Sequence, residues 1–290
     1  MIDFHMHSTA SDGVHAPEIL MRRAGAAGVR TLALTDHDTF GGFEDAAAEA
    51  RKLGMDILPA AEVSTTFRNR SCHILAFFGD RDQAEVTSRW LAGFRQARED
   101  RLHETCERFA RMGIRLTPEQ VHAEAGPAAV HRPHIARALV KTGAVKSPKE
   151  AFDRFLHDGG PAYVPYETPD ARSALWLLRE QGAYTSLAHP AIDRFGETDI
   201  RELAQHGLHA VEVYHSEHRP ADRRRLRQIT GQFRLGMTGG SDYHGDDKCS
   251  FYTDSTEGHG VPLHVLDSLL DGIRGAREQA PHIRRLHGVS

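Results

Sequence analysis

Histidine and acidic side chains recur in short motifs that could bind divalent cations. His5 and His7 have the i and i+2 spacing of a β-strand, so both side chains lie on one face and can hold a single ion. Other histidines and acids follow apolar runs further along the chain, in TDHD, AAEVS, SLAHP and GGSDYH. The predicted metal ligands are His5, His7, Asp12, His37, Glu62, His73, His189, Asp242 and His244.

The composition of this set indicates the kind of metal site. Imidazole and carboxylate groups without thiolates suit Mn²⁺, Zn²⁺ or Fe²⁺ better than Ca²⁺. A catalytic zinc usually has three protein ligands and a water, so these side chains are too many for one ion. We predict two or three divalent ions, with Mn²⁺ preferred. Such sites are typical of phosphoryl transfer, where the ions generate a hydroxide and neutralise charge on the phosphoryl oxygens.

Alternating apolar and amphipathic segments predict that strands joined by helices position these side chains. Most predicted ligands follow the end of a strand, and in a β/α barrel the carboxyl ends of the strands meet at one rim. The sequence therefore predicts an α/β fold with its ligands on that rim. Strands are predicted at residues 1–5, 31–35, 56–63, 73–78, 184–188, 210–214 and 234–238.

His73 differs from the other predicted ligands because it stands at the beginning of its strand, after the turn sequence FRNRSC. An antiparallel hairpin that returns from Glu62 would bring His73 back to the same rim. We therefore predict a hairpin at this position.

The alternation of strands and helices breaks between about Asp82 and Gly160, where no strand is predicted. Consecutive helices are predicted there, at residues 83–112, 118–125, 133–141 and 148–157. We predict a barrel formed by residues 1–81 and 161–290, with residues 82–160 as a helical insertion or cap.

Length and composition limit the class of protein. The 290 residues suffice for one large α/β domain with an insertion, and the net charge of −4 argues against a broadly basic nucleic-acid surface. Cys72, Cys106 and Cys249 have no CxxC spacing, so neither a disulfide framework nor a cysteine zinc knuckle is expected. No segment reaches the roughly 18 apolar residues of a membrane span, and the first residues lack a signal-peptide pattern. A cytoplasmic protein is expected.

Taken as an ordered set, the motifs resemble the PHP family, the polymerase and histidinol phosphatase superfamily of metal-dependent phosphoesterases. The resemblance spans most of the chain outside the helical insertion. It implies a distorted seven-stranded β/α barrel with a trinuclear metal site. The motifs are HMHSTASDG at 5–13, LTDHDT at 34–39, AAEVS at 60–64, CHIL at 72–75, AHP at 188–190 and GGSDYH at 239–244.

The resemblance also implies which side chains share an ion. The three groups are His5, His7 and Asp242 with bridging Glu62; Glu62 with His73 and His189; and Asp12, His37 and His244. Asp12 stands where some relatives have a histidine, so the third ion is expected to bind more loosely. Asp3, Asp36 and Asp38 are expected to orient ligand histidines through their free ring nitrogens.

The long insertion after CHIL and the SDG sequence at 11–13 resemble the branch that acts on nucleotide phosphates. That branch includes 3′,5′-nucleoside bisphosphate phosphatases and 5′–3′ exonucleases on short RNA. The resemblance implies that a metal-activated hydroxide removes the 3′-phosphate of a bisphosphate such as adenosine 3′,5′-bisphosphate (pAp), giving AMP and phosphate. Glu62, His134 and Asp242 are the predicted catalytic residues, with His134 as proton donor.

Basic residues outside the ligand motifs suggest where a phosphate binds. In HRPHIAR, Arg132 and His134 flank Pro133, which favours a helix N-terminus and hence an anion site. Arg68 and Arg70, in the predicted hairpin turn, could form bidentate hydrogen bonds with a substrate phosphate. Each of these arginines could instead be an ordinary surface residue.

Three other functions are compatible with the sequence. An exonuclease that acts on short oligonucleotides requires an open cleft, whereas a deep cap would hinder it. An amidohydrolase that cleaves C–N bonds uses a similar barrel, although no lysine lies in the ligand motifs to provide a carboxylated ligand. A non-catalytic module would be expected to lack some of the ligands.

Overall fold

Seven β-strands form one sheet in which the strands are neighbours in chain order. The computed structural model describes residues 1–126, 128–165, 168–245 and 260–286. All seven strands lie close to their predicted positions, which confirms the expected α/β fold. The strands are β1 Ile2–Asp3, β2 Thr31–Leu34, β3 Asp56–Phe67, β4 Arg70–Phe77, β5 Tyr184–Leu187, β6 Ala210–His215 and β7 Gly236–Gly240.

The two edges of the sheet meet and nearly close it into a distorted barrel. The Phe4 amide donates to the Gly239 carbonyl at 3.2 Å, and the Asp242 amide donates to the His5 carbonyl at 2.8 Å. A Cβ atom on Gly240 would lie 2.4 Å from the His5 backbone nitrogen, so only glycine permits this approach. The closure brings the segments after β1 and β7 together on one rim.

Strand β4 runs antiparallel to both of its neighbours, and every other strand pair is parallel. Arg68 and Asn69 have φ angles of 49° and 60°, the positive values of a tight hairpin turn between β3 and β4. The register pairs Ser64 with His73. The predicted hairpin is therefore confirmed, although β3 continues past Glu62 to Phe67.

The described helices surround the barrel or form the segment between β4 and β5. Proline stands in the first turn of several of them, where the missing amide hydrogen has no partner within the helix. None of the described helices is long and apolar enough to cross a bilayer. The helices are α1 Pro17–Ala26, α2 Phe43–Lys52, α3 Arg81–Ala92, α4 Arg95–Arg111, α5 Pro118–Ala125, α6 Arg132–Lys141, α7 Pro148–Ala151, α8 Ala171–Glu180, α9 Glu197–Gln205, α10 Pro220–Phe233 and α11 Leu263–Leu286.

Two helices of the insertion differ from the prediction. The helix expected at residues 83–112 is broken between α3 and α4 at Gly93 and Phe94. The helix expected at 148–157 is the short α7 followed by a π-helical turn, Phe152–Leu156. Sequence periodicity predicted the helical segment correctly but did not resolve these local changes of geometry.

The helical segment has a hydrophobic core of its own. That core includes Leu102, Phe109, Leu139 and Phe155, whereas α3 packs on the barrel core through Ala84 and Leu91. We propose that residues 82–160 form a cap, and the separate hydrophobic core supports this division. Cys72 and Cys106 are buried free thiols, and Cys249 lies outside the described residues.

Candidate metal centre and substrate cleft

The barrel rim gathers the predicted ligands from distant parts of the chain. His5 and His7 follow β1, His37 follows β2, and His189 follows β5. The backbone of His189 has a φ of 27° and that of Asp242 a φ of 54°, conformations that are strained for residues other than glycine. Such strain concentrates at functional sites, where the surrounding structure holds it in place.

The first group of ligand atoms meets one oxygen of Glu62. The Nε2 atoms of His5 and His7 each lie 3.1 Å from Glu62 Oε2. The same two nitrogens lie 3.4 and 3.2 Å from Asp242 Oδ1. Ligand atoms of these residues lie within 4.8 Å of one another, which is close enough for all of them to coordinate a single cation.

The other oxygen of Glu62 faces a second pair of histidines. Its Oε1 lies 2.8 Å from His73 Nδ1 and 2.9 Å from His189 Nε2. His37 Nδ1 lies 3.2 Å from Oε2. The two oxygens of Glu62 thus face different histidines, which is the geometry that a residue bridging two cations would need, and the bridging role stays a prediction.

A third group lies beside the first, around Asp12. His244 Nε2 is 3.2 Å from Asp12 Oδ1, and His37 Nε2 is 3.9 Å from Asp12 Oδ2. His7 Nδ1 also faces Asp12, at 3.8 Å. A Cβ on Gly13 would lie 2.3 Å from the His7 carbonyl oxygen, so this glycine lets the Asp12 loop pack against His7.

Several buried ring nitrogens at the rim have no hydrogen-bond partner in the part of the chain that the structure describes and are free to bind divalent cations. Among the described residues, neither ring nitrogen of His7 makes a hydrogen bond, and His37 Nδ1 makes none either, although all three atoms are buried. They face carboxylate oxygens without the geometry of hydrogen bonds. Buried polar atoms without partners are costly, so this arrangement is the one expected of metal ligands.

The charges in the site lead to the same conclusion. Burial favours the neutral acid, yet the charges of His37, His5 and His73 hold the pKa of Glu62 well below its usual range. Burial likewise opposes the charged form of His7, but the adjacent carboxylates of Asp242 and Glu62 raise its pKa to about 9. The buried carboxylates thus require positive charge, which bound cations would supply in place of protons.

Two acidic residues that the sequence analysis missed orient the ligand histidines. Glu212 Oε1 lies 3.0 Å from His5 Nδ1, and Glu212 Oε2 accepts a 2.7 Å hydrogen bond from the His189 amide. Asp193 Oδ2 lies 2.8 Å from His189 Nδ1. The signals were an acid inside the apolar strand AVEVYH and an acid four residues after His189.

The residues predicted for this orienting role do something else. Asp3 accepts from the backbone amides of His5 and Ser241. Asp36 accepts from Ser8 and Ser11, and Asp38 accepts from the Ser64 amide and pairs with Arg98. These aspartates hold the loops that carry the ligands, so the prediction that they bond histidine rings was wrong.

A cleft of about 1010 Å³ extends from the ligand groups to the β3–β4 hairpin. Arg68 and Arg70 line it, but both bind acids on α9. Arg68 Nη1 lies 3.0 Å from Asp199 Oδ1, and Arg70 Nη2 lies 2.9 Å from Asp199 Oδ2. Their guanidinium groups therefore have carboxylate partners, and substrate binding by them stays a prediction.

The HRPHIAR sequence forms the start of α6, and its residues lie in two different environments. Arg132 lines the cleft, pairs with Asp158 and donates to the Leu156 carbonyl at 3.1 Å. His134 is not among the described residues that line the cleft, and its Nδ1 accepts from the His131 amide at 2.9 Å. Burial lowers the pKa of His134 to about 4.

This environment does not support the predicted roles of His134 in substrate binding and proton donation. The neighbouring histidine, His131, lines the cleft instead, together with Arg98 from α4. Helical spacing alone could not show which of the two histidines faces the substrate, because that depends on how α6 packs on the barrel.

A barrel whose rim gathers imidazole and carboxylate groups at the floor of a polar cleft defines a metal-dependent hydrolase. The PHP domain model matches residues 3–142. The chain is 32% identical over 246 residues to a 5′–3′ exoribonuclease of Haemophilus influenzae, a match that covers 83% of this chain and 89% of the relative. The chain belongs to the PHP family.

Two further similarities involve proteins of Chromobacterium violaceum. A 3′,5′-nucleoside bisphosphate phosphatase is 32% identical over 258 residues, which cover 84% of this chain and 87% of the relative. The solved structure of an amidohydrolase with bound sulfate and no metal has a TM-score of 0.84 and 28% identity, and the match covers 93% of this chain and 96% of the other.

Proposed function

We propose that this protein is a metal-dependent phosphatase that removes the 3′-phosphate of small 3′,5′-nucleoside bisphosphates such as pAp, giving AMP and phosphate. The observation that carries the proposal is the set of overlapping ligand groups around Glu62 at the floor of an arginine-lined cleft. Two or three divalent ions bound there, Mn²⁺ in preference to Zn²⁺ or Fe²⁺, would supply Lewis-acid catalysis and the activation of water.

The chain's own residues have distinct parts in this function. Glu62 belongs to two of the ligand groups. Asp242 belongs to one of these two, and Asp12 belongs to the third group. Glu212 and Asp193 fix the orientation of His5 and His189. This arrangement sets the ligands in place before substrate arrives, so little reorganisation is needed during the reaction.

The cleft also suits an anionic substrate. Arginines from the hairpin, from α4, from the α6 N-terminus and from α8 line its walls: Arg68, Arg70, Arg98, Arg101, Arg132 and Arg172. Guanidinium groups recognise phosphate through paired hydrogen bonds. The sulfate in the related C. violaceum structure is consistent with a tetrahedral anion site in such a fold.

The test is phosphate release by the manganese-loaded protein from pAp, run beside AMP, histidinol phosphate, a 5′-phosphorylated trinucleotide and a panel of amides. We expect rapid release from pAp and little from AMP. A preference for the trinucleotide would replace the phosphatase with an exonuclease. Hydrolysis of amides alone would exclude both.

A 5′–3′ exonuclease on short oligonucleotides is the second candidate function. Drug-sized ligands occupy pockets of about 300–1,000 Å³, and the cleft of about 1010 Å³ has room beyond one nucleotide. An oligonucleotide that extended from the ligand groups would pass Arg68 and Arg70. Substituting both with alanine would then raise KM for the trinucleotide more than KM for pAp. An equal change in both KM values, or wild-type KM values for both substrates, would exclude this path.

Two other functions have less support. An amidohydrolase remains testable with the amide panel, since one related structure bears that description. A non-catalytic module is disfavoured because the sequence retains all nine predicted ligands. The cytoplasmic location remains a prediction.

A further inference from the structure

Arg98 and His131 form a buried pair between the barrel and the helical insertion. Arg98 Nη1 lies 3.0 Å from His131 Nδ1, and its Nη2 pairs with Asp38. The same Nη2 lies 3.3 Å from Ser64 Oγ. One guanidinium therefore connects the loop after β2, strand β3 and the start of α6.

This contact fixes the position of the proton on the His131 ring. A guanidinium nitrogen always donates its hydrogen, so His131 Nδ1 must accept and cannot itself carry a proton. The neutral ring then carries its proton on Nε2. Arg98 thus sets the tautomer of His131, and Asp38 holds Arg98 in place.

His131 lines the substrate cleft, and its buried Nε2 atom has no hydrogen-bond partner among the described residues. The residue is only 5% exposed. The ring stacks on that of His37, with centroids 5.2 Å apart, and both residues line the cleft. A buried donor without a partner beside the ligand groups is suited to a substrate oxygen.

The position of His131 adds a second attraction for anions. His131 is the residue that precedes α6, so its ring stands at the positive end of a ten-residue helix. Phosphate at this point would meet the helix terminus and the Nε2 hydrogen together.

We propose that His131 donates a hydrogen bond from Nε2 to an oxygen of the phosphate group that is cleaved, and that Arg98 is the positioning residue that fixes its tautomer. The proposal rests on the phosphoesterase function above. The sequence pattern had instead suggested His134 as the histidine of this motif that binds substrate and donates a proton.

The first test compares His131→Asn with His131→Gln. Asparagine keeps an acceptor near the position of Nδ1 but is too short to place a donor at Nε2, whereas the glutamine amide reaches that position. We expect His131→Asn to lower kcat/KM by roughly 10- to 100-fold, the effect of losing a hydrogen bond to a charged group, and His131→Gln to restore part of it. The exposed His103→Asn on α4 is the control, with wild-type activity expected.

The range of substrates affected tests which phosphate His131 contacts. The loss should extend to every phosphate ester that the wild type cleaves, including esters with a single phosphate, and inorganic phosphate should inhibit His131→Asn more weakly. A loss confined to bisphosphates would overturn the assignment to the cleaved group. Wild-type kcat/KM in His131→Asn would overturn the proposal itself.

A second measurement does not depend on activity. In protein with ¹⁵N-labelled histidine, the ring signals missing from His131→Asn identify His131, and we expect an unprotonated Nδ1 and a protonated Nε2. Arg98→Lys should mix the two tautomers, while Arg111→Lys, on the exposed face of α4, should not. A protonated Nδ1 in the wild type would refute the role of Arg98.

These measurements separate the proposal from the function on which it rests. If the wild type cleaved no nucleotide phosphate, the phosphatase assignment would fail. Calorimetric binding of inorganic phosphate to wild type and His131→Asn, together with the tautomer measurement, would still decide whether His131 binds phosphate.

Discussion

Replacing Glu212 with glutamine should weaken metal binding although Glu212 is not itself expected to contact the ions. The carboxylate presents two acceptors, one to His5 Nδ1 at 3.0 Å and one to the His189 amide at 2.7 Å. Glutamine presents one acceptor and one donor in the same volume. In one orientation the glutamine NH₂ group faces the His189 amide, so two donors meet and the amide loses its acceptor. In the other orientation the NH₂ group donates to His5 Nδ1, which moves the His5 proton to Nε2.

Both orientations carry a cost that can be estimated. A buried polar group left without a partner costs about 1–3 kcal/mol. Loss of a residue that orients a metal ligand typically lowers metal affinity about 10- to 100-fold, and tenfold corresponds to about 1.4 kcal/mol. A 10- to 100-fold loss thus corresponds to about 1.4–2.8 kcal/mol, which agrees with the cost of one buried group without a partner. The loss falls on metal binding because His5 Nε2 is the atom that faces Glu62 and Asp242.

The assay is a competition titration of Mn²⁺ and Zn²⁺ against a chelating fluorescent indicator, with urea unfolding in EDTA as a check on folding. We expect Glu212→Gln to bind metal about 10- to 100-fold more weakly and to remain folded. Glu217→Gln, an exposed change five residues later, should bind metal as the wild type does. Wild-type affinity in Glu212→Gln, or an equal loss in Glu217→Gln, would refute the reasoning.

The remaining predictions concern stability. His209 accepts from the Thr185 amide at 3.1 Å, and burial lowers its pKa from 6.5 to about 4, so the unfolded chain binds the proton first as pH falls. The free energy of unfolding should therefore decrease as the pH falls from 6.5 to about 4, by roughly 3 kcal/mol from this group. In urea titrations His209→Asn should show a weaker dependence of the unfolding free energy on pH than the wild type. The exposed His206→Asn should behave as the wild type does. Gly240→Ala would place a Cβ 2.4 Å from the His5 backbone nitrogen, so we expect a lower melting temperature and reduced metal content by elemental analysis, while Gly231→Ala, in open space on α10, should retain both. Chelation with EDTA should lower the melting temperature, and metal at about 100 times its Kd should restore about 2.7 kcal/mol, measured by calorimetry; an unchanged melting temperature would contradict a metal centre at the rim.

Much of the fold followed from short-range patterns in the sequence. Apolar runs such as Ala210–His215 and amphipathic segments such as Ala171–Glu180 have different periods, which identify strands and helices. The hairpin was predictable because FRNRSC separates two strand-like runs by a short turn. The break at Gly93 and the π-helical turn at Phe152–Leu156 were not predictable, since packing within the helical segment decides them.

The sequence by itself determined which residues stand on the rim. His5, His37 and His189 each follow a strand, and neighbouring parallel strands bring such residues to one edge whatever the details of packing. Tertiary structure alone decided their partners. Glu212 lies 207 positions from His5, and no local period relates the two residues.

Tertiary structure likewise decided which basic residues face the cleft with a free donor. Arg68 and Arg70 lie at the hairpin as predicted, but α9 places Asp199 against both. The packing of α6 turns His131 toward the cleft and His134 away from it, although both occur in one short motif. Spacing along a chain fixes which face or edge a residue occupies, whereas a hydrogen-bond partner depends on which distant element packs there.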